Sequence, residues 1–76
     1  MADVVVPHDF WEDDKQAVIT NWLARDGADV RAGDLLAEIM VEKAQLEIHA
    51  PQAGRLTVLR KVDDVVSKGD AIARVD

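Results

Sequence analysis

Leu35-Leu36-Ala37-Glu38-Ile39-Met40-Val41-Glu42-Lys43-Ala44-Gln45-Leu46-Glu47-Ile48-His49 is two runs of strand-forming character with only Glu42 and Lys43 between them. If those two residues form the loop, Val41 faces Ala44, Ile39 faces Leu46 and Ala37 faces Ile48. All six are apolar and share one face. The alternate pairs are Met40 with Gln45, Glu38 with Glu47, and Leu36 with His49, a mostly polar set. A slip of one residue would drive that polar set into the core, so the pattern fixes the register. Glu38 opposite Glu47 places like charges together, a modest cost when both point into water. Glu-Lys is not the Asn-Gly or Gly-x pair that two-residue hairpins favour. A type I turn or a longer loop is therefore expected at the tip. Lys43 stands at that tip with its ammonium in solvent.

Outward from the hairpin, the chain repeats. Val30-x-x-Gly33-Asp34 recurs 36 positions on as Val66-x-x-Gly69-Asp70. The same offset relates Leu23 to Leu59, Leu36 to Ile72, Ala37 to Ala73 and Ile39 to Val75. Each half reads as strand, turn at Gly-Asp, strand, with glycine supplying a positive φ at the turn. Neither half can bury its apolar face alone, so the two are expected to pack face to face as a small sandwich or flattened barrel. The predicted strands are Val4–Val6, Val18–Leu23, Leu35–Val41, Ala44–His49, Leu56–Leu59 and Ala71–Val75. Pro7 ends the first, because it has no N–H for a ladder. No segment sustains helical periodicity. The repeat also predicts that the C-terminal strand pairs with Val4–Val6 as the hairpin arms pair, with both termini at the end opposite Lys43.

Composition bounds the function. A chain of 76 residues makes one domain, 1–76, with a thin core. At this size only ~60% of the unfolded surface is buried, which favours a single-purpose module over a complete enzyme. With no cysteine there is no disulfide, thiolate metal site or cysteine nucleophile. The start Met1-Ala2-Asp3 lacks a basic region and an apolar stretch, and no run approaches the ~18 apolar residues of a membrane helix. The expected setting is a reducing, cytosolic-type compartment. A formal net charge of -6 with scattered basic residues argues against nucleic acid as a partner. His8 and His49 lack metal-ligand spacing. Glu12-Asp13-Asp14 reads as solvated loop within the acidic segment from Phe10 to Lys15, since no glycine or bidentate acid completes a calcium loop. Trp22 is expected in the core, and Trp11 is expected either as a lid over it or as part of a recognition surface near the tip, the lid being favoured.

The ordered motifs resemble the lipoyl domains of 2-oxo acid dehydrogenase acyltransferases, within the biotinyl/lipoyl attachment family. Gly27-Ala28-Asp29-Val30-Arg31-Ala32-Gly33-Asp34-Leu35-Leu36-Ala37-Glu38-Ile39 is similar to the stretch leading to the family's hairpin. Glu42-Lys43-Ala44 sits where the family carries Asp-Lys-Ala, Ala50-Pro51-Gln52-Ala53-Gly54 is similar to the segment that follows, and Trp22 matches a family tryptophan. Met40-Val41 departs from the usual Glu-Thr, Glu42 from Asp, and Asp63 takes a glycine's place. Ala17 sits near a usual glycine.

The resemblance implies an all-β flattened barrel of two small antiparallel sheets, of single-hybrid-motif type. It implies lipoic acid joined by an amide to Lys43, with Glu42 and Ala44 as flanking recognition residues, and a non-catalytic carrier role. Implied partners are a lipoate ligase or transferase, a thiamine-diphosphate 2-oxo acid decarboxylase, an acyltransferase core and the flavoprotein dihydrolipoyl dehydrogenase. The domain itself is expected to be monomeric, in the cytoplasm or, in a eukaryote, the mitochondrial matrix. A biotin carboxyl carrier shares the fold, but its tip reads Met-Lys-Met. A glycine-cleavage carrier would be longer, with helical segments. An unmodified lipoyl-like assembly adaptor is the alternative from another class.

Overall fold

A computed structural model describes residues 2–9, 11 and 15–76 of the chain. Eight strands follow one another: β1 (Ala2–Val5), β2 (Ala17–Trp22), β3 (Asp29–Val30), β4 (Leu35–Val41), β5 (Ala44–His49), β6 (Gly54–Val58), β7 (Val65–Val66) and β8 (Ala71–Val75). They form two four-stranded sheets, ordered β1-β8-β6-β3 and β5-β4-β2-β7. Every pairing is antiparallel. Three predicted strands, β4, β5 and β8, have the expected bounds. The others shift by one or two residues, to Ala2–Val5, Ala17–Trp22 and Gly54–Val58. The pairs β3 and β7 were not expected as strands, because two residues cannot show alternation.

The repeat is a pseudo-twofold that carries each strand onto another. β4 and β5 correspond to β8 and β1, β2 to β6, and β3 to β7. The turns match in detail. Gly33 and Gly69 both adopt φ 88, a left-handed conformation that glycine takes without a Cβ penalty. Arg31 N–H donates to Asp34 Oδ2 at 2.9 Å, and Ser67 N–H to Asp70 Oδ2 at 2.8 Å. Asp63 (φ 76) occupies the position equivalent to Gly27 (φ 86). The halves do not form one sheet each, because β3 and β7 cross to the sheet of the other half. That exchange ties the sheets together at both edges.

Both sheets turn an apolar face inward onto one core. Ile19, Leu36, Ile39, Leu56, Ile72, Val6, Val66 and Val75 are its largest fully buried side chains. Each such side chain contributes about 1.5–3 kcal/mol by leaving water. The predicted pairing of Leu36 with His49 is corrected by a bulge: Leu35 faces His49, Ala37 faces Ile48, and Leu36 is left over. Strict alternation would expose Leu36, but the extra residue turns both Leu36 and Ala37 into the core. The Leu36 carbonyl then accepts from Leu23 N at 2.8 Å and Ala24 N at 3.2 Å. β8 repeats the device at Ile72, whose carbonyl accepts from Leu59 N at 2.9 Å and Arg60 N at 3.1 Å.

β1 pairs with β8 as the repeat predicts, with Ala2 opposite Val75. The described chain ends therefore lie in one sheet, and the β4–β5 tip lies in the other. Past β1, Val6 N donates to Asp70 O at 2.9 Å before Pro7 stops the ladder. The acidic loop prediction falls partly on Phe10 and Glu12–Asp14, which lie outside the described residues.

Candidate functional site

The β4–β5 tip is a two-residue reversal closed by Val41 opposite Ala44. Glu42 has φ 54, and Lys43 is not among the residues with positive φ. A positive φ at the first central residue is incompatible with types I and II, which need a negative φ there. The expected type I turn or longer loop is thus corrected. Two-residue turns that open with positive φ match the right-handed twist of the two arms, whereas type I would splay them. The apolar register is strong enough to hold Glu42 in a conformation usually given to glycine.

Lys43 and both neighbours, Glu42 and Ala44, are exposed. Among the described residues, no acidic side chain pairs with Lys43. Glu42 instead pairs with Lys15, which reaches the tip from the segment before β2. The amine therefore projects from a closed two-residue reversal, while the carboxylate beside it is tied to another part of the chain. The predicted apolar face holds at Val41, Ile39, Ala37 and Ile48, which are buried. It weakens at its outer end, where Leu46 is half-buried and Ala44 is exposed. Glu38 does face Glu47. Asn21 Nδ2 donates to Glu38 Oε1 at 3.4 Å, and His49 Nε2 lies 3.7 Å from Glu47 Oε1. Each carboxylate thus has a polar neighbour of its own.

Trp22 is half-buried at the core's edge, not inside it as expected, and its Nε1 donates to Arg60 O at 2.8 Å. Trp11 packs against the core as a lid. Its Nε1 donates to Lys15 O at 2.8 Å, and Lys68 Nζ lies 5.6 Å from the ring centre. Lys15, Lys61 and Lys68 carry no local sequence signal. Lys15 and Lys68 acquire their roles from partners far away in the chain. His49 Nδ1 is 3.0 Å from Gly33 O. No group of three or more metal-ligating side chains assembles among the described residues. Among those residues no helix is long and apolar enough to cross a membrane.

An open groove of about 440 Å³ lies between Trp22, Arg25, Val58, Leu59, Lys61 and Val62. It sits at the end of β2 away from the tip, since Val18 pairs with Met40 near the tip and Trp22 pairs with Ala37 further down.

A family model described as "Biotin-requiring enzyme" matches residues 9–75. The dihydrolipoyllysine-residue succinyltransferase component of the 2-oxoglutarate dehydrogenase complex of Cupriavidus necator is 36% identical over 77 residues, a match covering 100% of this chain and 18% of that protein. The dihydrolipoyllysine-residue acetyltransferase component of the pyruvate dehydrogenase complex of Corynebacterium glutamicum is 35% identical over 75 residues, covering 97% and 11%. The chain thus spans less than a fifth of the length of these relatives. The solution structure of the lipoyl domain of the 2-oxoglutarate dehydrogenase complex from Azotobacter vinelandii superposes with a TM-score of 0.76 at 20% identity, covering 99% of this chain and 96% of that one. That likeness is one of fold. With the family model matched from residue 9 to residue 75, the chain belongs to the biotin/lipoyl attachment family.

Proposed function

We propose that this chain is a lipoyl carrier domain whose attachment point is Lys43. The observation that carries the reading is the tip itself: an exposed lysine at the second position of a closed two-residue reversal. The residues fit the group. The amine is reachable from solvent, and Glu42 and Ala44 on either side are exposed for an attaching enzyme to read. The flanking pair Glu42 and Ala44 favours lipoate over biotin, whose carriers place methionines there.

A ligase or transferase joins the Lys43 amine to lipoate as an amide, which removes the ammonium charge. When bound, the lipoyl group supplies a cyclic disulfide that takes up an acyl group with two electrons and releases both again. The chain's own residues do the holding. The Val41–Ala44 pair and the paired hairpin arms keep the root of the arm outside the domain. The described chain ends lie in or beside the other sheet, so a tether there leaves the tip clear. Tethering raises the effective concentration of the arm at each partner site, so no single contact has to be tight.

The partners in this reading are a thiamine-diphosphate 2-oxo acid decarboxylase, an acyltransferase core and dihydrolipoyl dehydrogenase, in the cytoplasm or mitochondrial matrix. The domain is a carrier and performs no acid–base step. Supporting the reading are the family match and the names of the two relatives, both acyltransferase components of 2-oxo acid dehydrogenase complexes.

The test is peptide mass spectrometry after incubation with a lipoate ligase and, separately, a biotin ligase. A lipoyl gain confined to Lys43, absent in Lys43→Arg, is expected. A biotin gain instead would move the chain to the carboxyl carriers. Reductive acylation persisting in Lys43→Arg would refute Lys43 as the attachment point, whereas no gain from either ligase, with assembly unaffected in Lys43→Arg, would turn the reading toward an assembly adaptor.

A further inference from the structure

The outer face of the sheet that carries the tip has one uncharged row across it. Met40, Val18 and Val65 are 38%, 37% and 51% exposed. Met40 is paired with Val18 and Val18 with Val65, so the three stand side by side across β4, β2 and β7. Directly opposed residues of antiparallel strands point to the same face, with Cβ atoms ~4.5–5.5 Å apart. Gln45, opposite Met40, extends the row to β5 without a charge. The row begins three residues before Lys43.

The fold does not require this row to be apolar, and the pseudo-twofold supplies the control. The pairs Ile19–Ile39 and Ala17–Val66 correspond to Leu56–Val75 and Gly54–Val30. Between them, Met40, Val18 and Val65 correspond to Asp76, Arg55 and Asp29. Asp29 is paired with Arg55. Arg55 and Asp76 exchange backbone hydrogen bonds of 3.0 and 2.9 Å. The same three sites are therefore all charged in the sheet that lacks the lysine, and all apolar in the sheet that bears it.

Resting on the reading that Lys43 carries a lipoyl arm, we propose that the row Met40–Val18–Val65 is a resting place for the dithiolane end of that arm on the same chain. Reach permits it. The row spans two strand spacings, ~10 Å, and a lysine side chain extended by an octanoyl chain is longer than that. Charge permits it as well, because the amide-linked arm is neutral and the row carries no charge. A second copy of the chain is disfavoured as occupant. Glu38 and Glu47 flank the row on the same face, and each copy carries a net charge of -6. Resting there keeps the disulfide partly covered between visits, and any partner site that binds the arm more tightly draws it off.

The domain, lipoylated at Lys43, is compared with its Met40→Glu and Val65→Asp variants. Both substitutions are at exposed positions, so the amide NMR spectrum should keep the native dispersion. Nuclear Overhauser contacts are expected from the dithiolane protons to the methyls of Met40, Val18 and Val65. Reduction of the disulfide by a water-soluble phosphine should be slower than for free lipoamide. Each methylene kept covered favours the resting state about fourfold. Met40→Glu should therefore lower the resting-to-free ratio about fourfold or more and bring the reduction rate toward that of free lipoamide.

The inference is overturned if these contacts are missing and both variants reduce at the wild-type rate. It is also overturned if the contacts prove to be between chains in a sample mixed from differently labelled copies. The attachment reading is tested apart from it. The chain has no cysteine, so Lys43→Cys accepts a thiol-reactive lipoamide analogue at the tip alone. Failure of the ligase would sink the attachment reading, while the chemically installed arm still shows whether the row holds it.

Discussion

Gly54 gives the sharpest test of the packing described above. It opens β6 with φ 155, a region open to glycine and strained for any other residue. A methyl group there would overlap the backbone carbonyl oxygen of Asp76 and approach Val75 Cγ1 to 2.8 Å. That oxygen is held in place by the Arg55 N–H, so Asp76 and the end of β8 must move off β6. That movement breaks the reciprocal Arg55–Asp76 hydrogen bonds, 3.0 and 2.9 Å long.

For Gly54→Ala, backbone strain costs about 1–3 kcal/mol, and two hydrogen bonds lost to solvent cost about 1 kcal/mol each. The stiffer unfolded chain returns about 0.4–1 kcal/mol. The net loss is about 2–4 kcal/mol. Gly33→Ala is the control. It has φ 88 with nothing within 4 Å of the added carbon, so only left-handed strain of about 1–2 kcal/mol applies, less the same return. Urea unfolding followed by circular dichroism measures both. At about 4–8 °C per kcal/mol for a domain of this size, Gly54→Ala should melt at least 8 °C below wild type and clearly below Gly33→Ala. Hydrogen exchange should localise the damage to the Arg55 and Asp76 amides. If the two variants are equally stable, with unchanged exchange at Arg55, the steric argument is wrong.

Three further outcomes are expected. Glu42→Gln keeps the φ 54 turn and loses only the exposed pair with Lys15, a cost of about 0–1 kcal/mol. Glu42→Gly then gains about 0.5–1 kcal/mol over Glu42→Gln, as relief of left-handed strain exceeds the entropy that glycine adds to the unfolded chain; a glycine variant less stable than the glutamine one would contradict the turn assignment. Leu36→Ala and Ile72→Ala each empty a fully buried bulge position and should cost about 2–5 kcal/mol in urea unfolding, with similar values because the two sites are pseudo-twofold mates. Trp22→Phe should cost about 1 kcal/mol through the lost bond to Arg60 O, whereas a neutral result would make that bond incidental.

The hairpin register, the half-chain repeat and the exposed tip lysine were legible in the sequence, because each rests on local alternation or on a fixed offset. A two-residue period leaves Val41, Ile39 and Ile48 only one way to reach the core, and that choice alone sets Lys43 at the apex. The turn type was not legible. Glu-Lys has no preference for φ 54, and the conformation is imposed by arms whose packing outweighs a local strain of about 1–2 kcal/mol. The bulge at Leu36 was likewise invisible, since it goes with Leu23 and Ala24, just past β2, reaching across to the Leu36 carbonyl.

What the residues determined by themselves was therefore the strand pattern, the twofold and the position of the amine. Only the folded chain decided which distant groups meet. It brought Lys15 to Glu42, Lys68 to Trp11, and Met40, Val18 and Val65 into one row beside the tip. Period and offset are written along the chain, whereas contacts between strands depend on how two sheets close over a shared core.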